Sequence, residues 1–260
     1  LAGLQRNVGF LGKATTDGDG LFFLNDLVSR GVSMLIEPSD QEQSTSGCFY
    51  YQDHTGDVTK VVHLGASATL GFADMSMQSI IDAKYLLIEA DVLDMPKSNQ
   101  WLVSVMDLAK KSQTCIILVL SNKHVVGRHR EFLLSMLSCV DMVAGNEIEF
   151  EVLTNTQSEK KILDACAIGG LVAVMTSGAN GSVISTRGDS IRTNAVPGRI
   201  VDTTAAGDYY LAGLIHALIS GKSFAEGANL GSALSSGICA ERGSRCFSLA
   251  SIRACVAFPM

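Results

Sequence analysis

One segment of the chain combines a turn of small residues, two acidic residues and the start of a long apolar stretch. It reads Asp-Thr-Thr-Ala-Ala-Gly-Asp from Asp202 to Asp208, and the residues from there to Gly221 are almost all apolar. Small residues let a backbone approach a ligand closely, and the first N–H groups of a helix lack partners inside the helix. The segment therefore predicts an anion site at a helix N-terminus, with Asp208 placed to accept a proton. The alternative is that Asp208 only caps the helix.

The elements predicted to position this segment alternate between apolar strands and helices. The predicted strands after Gly65 are 85–89, 115–120, 141–145 and 171–176, and the predicted helices are 100–112, 130–137 and one beginning near Glu147. Continuous apolar strands that alternate with helices are typical of a parallel sheet covered on both faces. Ligands of such sheets bind outside the carboxyl ends of the strands, where the motifs of this chain also lie. The predicted fold class is α/β.

The region from Gly31 to Gly65 is polar and rich in turn residues. Residues 46–52 and 58–64 alternate in the manner of strands, and residues 53–57 have the composition of a hairpin turn. We therefore predict an α/β domain over residues 1–30 and 66–260, with a β-hairpin over residues 31–65. A hairpin inserted in such a chain is either a packing flap or a lid over a site.

Composition and missing motifs exclude several classes of protein. Lys and Arg number 20 against 26 Asp and Glu, and this mild acidity argues against nucleic acid or an anionic membrane as a partner. No apolar run approaches the ~20 residues that span a bilayer, and seven cysteines without a CxxC pair favour reduced thiols in the cytoplasm. The absence of HExxH and GxxxxGK[ST] motifs disfavours a zinc hydrolase and a P-loop enzyme. A dehydrogenase stays an alternative, weakened because no GxGxxG follows a strand.

The segment from Asp202 to Asp208 resembles the C-terminal signature, DTxGAGD, of the PfkB (ribokinase-like) family of carbohydrate and nucleoside kinases. The resemblance implies that Asp208 is the base that deprotonates the acceptor hydroxyl. It also implies that the backbones of Ala205, Ala206 and Gly207 form the anion hole. Ala205 stands where the family normally has Gly. If the backbone there is left-handed, the β-carbon costs about 1 kcal/mol.

Three further stretches match the same family in the expected order. Asn146 and Glu149 fit its NxxE pattern, which implies a role in the magnesium–phosphate region, although an ordinary acidic helix start explains them equally well. Thr176, Gly178 and Gly181 fit its TxGxxG turn beside the nucleotide, with a plain hairpin turn as the alternative. Residues 8–20 resemble its strand-and-GxDxxG region.

The resemblance extends to further nucleotide and cation contacts. Thr203, Asn229 and Ala233 are implied nucleotide contacts, and Asp202 with Thr204 matches positions that bind potassium in many relatives. Residues 64–67, 128–132 and 146–149 favour the bacterial adenosine-kinase-like branch.

The family implies a three-layer α/β/α fold with a mainly parallel sheet and a small β lid. It further implies phosphorylation of a hydroxymethyl group on a sugar or nucleoside with ATP and Mg²⁺, by a monomer or homodimer. A catalytically impaired sensor of sugars or nucleotides is the alternative. Family members normally begin with a strand and a pair of glycines that have no counterpart here, so we expect residues that precede Leu1 to be missing.

Overall fold

The computed structural model describes residues 1–39, 43–52, 54, 58–166, 170–186 and 189–245. The strands in chain order are β1 (Val8–Phe10), β2 (Val32–Met34), β3 (Gly47–Gln52), β4 (Val58–His63), β5 (Tyr85–Glu89), β6 (Cys115–Val119), β7 (Met142–Asn146), β8 (Val172–Thr176), β9 (Ser182–Thr186) and β10 (Asp189–Thr193). The α-helices are α1 (Gly18–Ser29), α2 (Met77–Ile81), α3 (Ser98–Lys111), α4 (Lys123–Arg128), α5 (Arg130–Met136), α6 (Glu147–Thr154), α7 (Glu159–Cys166), α8 (Ala206–Ile219) and α9 (Phe224–Cys239). None of these helices is long and apolar enough to cross a membrane. The cytoplasmic location stays a prediction.

Packing divides the chain into two units. The first contains residues 1–6, 84–91 and the described residues from 115 onward; the second contains the described residues of 7–83 and 92–114. The first unit is built on a six-stranded sheet of order β10-β9-β8-β7-β6-β5. Strands β5 to β8 are mutually parallel, whereas β9 runs antiparallel to both β8 and β10. The sequence prediction of a mainly parallel sheet is confirmed.

Helices cover this sheet on both faces. Met142 and Ala144 of β7 point to one face, because alternate residues of a strand share a face, and they pack with Leu214 of α8. Val143, between them, is also fully buried, so the opposite face is covered as well. Helices α6 and α7 contact β7 and β8.

Helices α8 and α9 approach each other at two glycines. A β-carbon on Gly213 of α8 would lie 2.7 Å from the Cα of Gly231 on α9. A β-carbon on Gly231 would lie 2.5 Å from the carbonyl oxygen of Tyr210. The small residues of α9 therefore allow a backbone-to-backbone contact that no side chain would permit.

The second unit contains two two-stranded sheets. β1 pairs with β2 in parallel, and β3 pairs with β4 in the predicted antiparallel hairpin. The predicted turn at residues 53–57 lies outside the described residues except for His54. The predicted division into a domain of residues 1–30 and 66–260 and a lid of residues 31–65 stays a prediction.

Asp17 starts α1 and ties it to Thr45, two residues before β3. Its carboxylate accepts hydrogen bonds from Gly20 N (2.7 Å), Thr45 N (2.7 Å) and Thr45 Oγ1 (2.7 Å). The bonds from the Thr45 backbone and hydroxyl, followed by that from Gly20, lower the pKa of Asp17 to about 2. One carboxylate thus satisfies an orphan helix N–H and fixes a loop.

Asp17 gives the protein a predictable sensitivity to acid. Its pKa is lower in the folded chain than its ordinary 3.8, so its contribution to stability is complete above about pH 4 and is lost toward pH 2. We expect Asp17→Asn to be less stable than the wild type at neutral pH and to lose less stability across that acidic interval. Urea unfolding at several pH values measures both effects. The exposed Asp19→Asn in the same turn is the control, and parallel pH profiles for Asp17→Asn and the wild type would contradict the assignment.

Candidate functional site

The N-terminus of α8 presents backbone N–H groups without partners. Ala205 precedes the helix in a left-handed conformation with φ 63° and ψ 9°, and no side chain caps the helix. The N–H of Ala206 donates to the Thr203 carbonyl at 3.1 Å. The N–H groups of Ala205, Gly207 and Asp208 have no hydrogen-bond partner within the described part of the chain. At the positive end of a 14-residue helix, such donors suit an anion.

Asp202 shapes the turn that leads into this helix. Its Oδ1 accepts hydrogen bonds from Thr204 N (2.9 Å) and Thr204 Oγ1 (2.7 Å), and its Oδ2 accepts one from Gly243 N (2.8 Å). The Thr204 hydroxyl is the largest of the causes that lower the pKa of Asp202. Asp202 is therefore a charged anchor for the turn, and cation binding by Asp202 and Thr204 stays a prediction.

Because the backbone at Ala205 is left-handed, the expected energetic cost of its β-carbon can be tested. We expect Ala205→Gly to raise the free energy of unfolding by about 0.5–1 kcal/mol, because Gly has no β-carbon to crowd the carbonyl oxygen. Ala225→Gly, at an exposed site in the first turn of α9, is the matched control and should lose stability, by up to about 1 kcal/mol. Urea denaturation compares them, and equal losses in both variants would refute strain at Ala205.

Two carboxylates of this region, Asp208 of α8 and Glu89 of β5, have raised pKa values. Burial raises the pKa of Asp208, and it also raises the pKa of Glu89 at the end of β5. The negative charge of Asp208 is the second cause of the rise at Glu89, and that of Asp91 is the third. Both Asp208 and Glu89 reach solvent, while protein packed on their other sides disfavours their charged forms. Glu89 is not among the predicted site residues, although an acidic residue at the end of an apolar strand is a usable signal.

A hydrogen bond ties the ends of β5 and β6 beside these carboxylates. Asn122 caps α4 by accepting from His124 N and Val125 N, both at 3.0 Å. Its side-chain amide also donates to Asp91 Oδ1 at 2.6 Å. The loop that follows Glu89 is thereby held to the loop that follows the neighbouring strand.

Asn146 and Glu149 form a reciprocal cap at the start of α6. Asn146 N and Nδ2 donate to the Glu149 carboxylate at 2.9 and 2.8 Å, and Glu149 N donates to Asn146 Oδ1 at 3.0 Å. The ordinary helix start that the sequence left open is therefore present. Glu149 is 5% exposed, and the carboxylate and amide oxygens of this pair are of the ligand type that a hard cation such as Mg²⁺ takes.

An ion shared with phosphates needs few protein ligands. Mg²⁺ is typically bound by one or two carboxylates together with substrate phosphates and waters. Within the described ranges no three His, Cys, Asp or Glu side chains cluster as a metal site. The role of Asn146 and Glu149 at a magnesium ion stays a prediction.

The predicted TxGxxG turn connects β8 to β9 next to that cap. Thr176, the last residue of β8, pairs in register with Asn146 of β7. Gly178 and Gly181 have positive φ angles of 54° and 89°, and a β-carbon on Gly181 would collide with the Thr193 carbonyl. The sheet register therefore brings two of the predicted motifs together at one edge.

The remaining predicted nucleotide contacts are Thr203, in the turn before α8, and Asn229 and Ala233 on α9. Thr203 and Asn229 are exposed and Ala233 is half-buried. Asn229 and Ala233 are four residues apart on α9 and so share a helix face. No described hydrogen bond joins any of the three to Asp208. All three stay predictions.

Comparison with known proteins places these features in a family. The model of the pfkB family of carbohydrate kinases matches residues 1–249. A ribokinase from Staphylococcus aureus is 27% identical over 225 residues, which cover 84% of this chain and 70% of that protein. The structure of adenosine kinase from Sinorhizobium meliloti superposes with a TM-score of 0.91 at 26% identity, covering 97% of this chain and 78% of that one.

A third comparison supports the fold alone. Fructokinase from Vibrio cholerae, solved with fructose, ADP and calcium, has a TM-score of 0.82 at 19% identity and covers 98% of this chain and 84% of its own. These likenesses confirm the predicted ribokinase-like α/β fold. The adenosine-kinase-like branch stays a prediction, since ribokinase also matches in sequence. The chain belongs to the pfkB family of carbohydrate kinases.

Proposed function

We propose that the protein transfers the γ-phosphoryl group of ATP to a hydroxymethyl group of a sugar or nucleoside. The observation that carries this proposal is the placement of Asp208 beside unpartnered N–H groups at the start of α8. A base and an anion site at one helix end are what transfer of a charged group to a hydroxyl requires. Family membership supports the same reaction class.

The chain's own groups have distinct parts in this reaction. Phosphoryl transfer needs little covalent help from a protein, so catalysis is mostly positioning and electrostatic stabilisation. Asp208 takes the proton of the acceptor hydroxyl. The N–H groups of Ala205, Gly207 and Asp208 face the charge of the phosphoryl group, whereas Ala206 gives its N–H to the turn. The proposed anion hole therefore has the N–H groups of Ala205, Gly207 and Asp208 as its donors.

We further propose how ATP and magnesium are held. Asn146 and Glu149 would be the side chains that help to hold Mg²⁺, which would neutralise phosphate charge. Thr176, Gly178 and Gly181 would lie beside the nucleotide, whose other contacts are Thr203, Asn229 and Ala233. Asp202 and Thr204 would hold a potassium ion.

The names of the relatives guide the choice of acceptor. They include a ribokinase, an adenosine kinase and a fructokinase solved with fructose and ADP, so sugars and nucleosides are both candidates. We propose a small-molecule acceptor of one of these two classes. That the protein is a monomer or homodimer, and that it has no nucleic-acid partner, stay predictions.

A screen for acceptor-dependent ATP consumption tests the proposal. The protein is incubated with ATP and Mg²⁺ and with ribose, fructose, adenosine or inosine in turn, and ADP release is followed with and without each acceptor. We expect one class of acceptor to stimulate ADP release. Calorimetric binding of ATP without turnover on any acceptor would instead support the sensor. Binding of NAD(H) in place of ATP would support the dehydrogenase.

A further inference from the structure

The chain between β10 and the Asp202 turn runs along α9. We call residues 194–201 the connecting segment. Val196 N donates to Ser232 Oγ at 2.8 Å near its start, and Val201 N donates to the Cys239 carbonyl at 2.8 Å at its end. Between them, the place of a β-carbon on Gly198 is taken by the hydroxyl of Ser236. The segment therefore contacts α9 at three successive places.

The three contact places follow one line on the helix. At 100° per residue, Ser232, Ser236 and Cys239 lie within about 60° of one another around α9. An extended chain advances about 6.6 Å in two residues, close to the 6 Å that a helix advances in four. Val196 and Gly198 meet Ser232 and Ser236 with this spacing. The connecting segment is thus held in a fixed register along the helix.

Ser232 is the side chain that sets this register. It is 7% exposed, and its hydroxyl accepts from Val196 N and donates to the Asn194 carbonyl at 3.3 Å. The hydroxyl thus donates to one backbone group of the connecting segment and accepts from another, and it makes no described hydrogen bond to α9 itself. Its loss would leave two backbone groups of the segment without their partner.

The register also determines which part of the connecting segment lies beside the predicted nucleotide contacts. By the same helical geometry, Asn229 and Ala233 lie about 60° and 100° from Ser232 on one side of the contact line. A nucleotide that reaches these two residues would touch the connecting segment. Val196, which meets Ser232 between these two residues, is 43% exposed and so presents an apolar side chain at this level of the helix.

We propose that Ser232 is a positioning residue for nucleotide binding. It holds the connecting segment against α9, and the segment forms one wall of the nucleotide site without Ser232 touching the nucleotide. This inference rests on the proposed function, because it assumes that the ligand along α9 is ATP or ADP.

Ser232→Ala separates positioning from general stability. We expect the dissociation constants of ADP and of ATP with Mg²⁺, measured by calorimetry, to rise about fivefold or more. We expect kcat and the KM of the acceptor found in the screen to stay within about twofold. Hydrogen exchange of the Val196 amide should become faster. Ser235→Ala, which removes a hydroxyl without a described hydrogen bond from the same helix, is the matched control and should bind both nucleotides as the wild type does.

The outcomes distinguish the two levels of the proposal. Faster exchange at Val196 with unchanged nucleotide affinity would overturn the positioning role and leave the kinase intact. Equal loss of affinity in Ser232→Ala and Ser235→Ala would overturn it too, since both would then report a general effect on α9. A wild-type protein that binds neither ATP nor ADP would contradict the proposed function itself. If Ser232→Ala does not fold, Ser232→Cys, which keeps the shape with a weaker acceptor, takes its place with the same expectations.

Discussion

Replacement of Asp208 by Asn is expected to lower kcat/KM for acceptor phosphorylation by about 10²- to 10⁴-fold, which is the usual contribution of a positioned general base. The amide has nearly the shape of the carboxylate but cannot accept the acceptor's proton. The unpartnered N–H groups beside it are backbone groups and persist in the variant. ATP affinity should therefore change little, and the loss should fall on kcat. Steady-state kinetics with calorimetry of ATP binding measures both.

Asp19→Asn is the matched control for this experiment. Asp19 is also an exposed aspartate in the first turn of a helix, α1, so the same change tests the general effect of removing a helix-end charge. We expect Asp19→Asn to keep its activity within about twofold. Near-normal phosphorylation by Asp208→Asn would contradict the assignment of Asp208 as the base and would leave it only the role of a charge at the helix end.

The same Asp208 variant has an expected effect on Glu89. Burial and then the charge of Asp208 raise the pKa of Glu89. Asn carries no charge, so ionised Glu89 becomes more favourable and its pKa should fall in Asp208→Asn. A carboxyl-selective NMR titration of the two proteins measures the difference. An unchanged pKa of Glu89 in Asp208→Asn would show that Glu89 does not sense the charge of Asp208.

The pH profile of the wild type follows from the same surroundings. A base works only in its ionised form, and burial raises the pKa of Asp208 above its ordinary 3.8. We expect kcat/KM to fall with decreasing pH along an acid limb whose midpoint lies above 3.8. A limb with its midpoint at or below 3.8 would contradict the effect of burial on Asp208.

Local sequence patterns predicted the parts of the fold that depend on neighbours along the chain. Residues 85–89 form β5 with the predicted bounds, because an apolar run ends there in an acidic residue. The apolar residues up to Gly221 predict a helix next to Asp208, and α8 begins two residues before Asp208, at Ala206. The hairpin strands β3 and β4 also agree within a residue, since alternation and turn composition are local properties.

Features that depend on distant residues were not predicted. Glu89 senses the charge of Asp208 because the fold brings the end of β5 toward the start of α8, although the two residues are far apart in the sequence. Ser232 holds a segment that lies 36 residues earlier, which helix periodicity does not reveal. The left-handed backbone at Ala205 is not predictable from the residue type, since Ala itself carries no signal for positive φ.

The close approach of α8 and α9 makes Gly213 the most sensitive site for stability. A β-carbon there would lie 2.7 Å from both Cα and N of Gly231, and backbone atoms cannot rotate away as a side chain does. Gly213→Ala should therefore force the helices apart and lower the free energy of unfolding by about 1–3 kcal/mol. This loss is expected even though Ala favours a helix by about 1 kcal/mol over Gly. Gly213→Val should lose more.

Gly18→Ala in α1 is the matched control for that experiment. A β-carbon on Gly18 meets nothing within 4 Å, so the change keeps the helix and adds no collision. Urea unfolding should show Gly18→Ala as stable as the wild type or more so, and Gly213→Ala as clearly weaker. Because α8 also carries Asp208, Gly213→Ala should lose activity at temperatures at which it is still folded. Full stability in Gly213→Ala would mean that the two helices are farther apart in solution than in this structure.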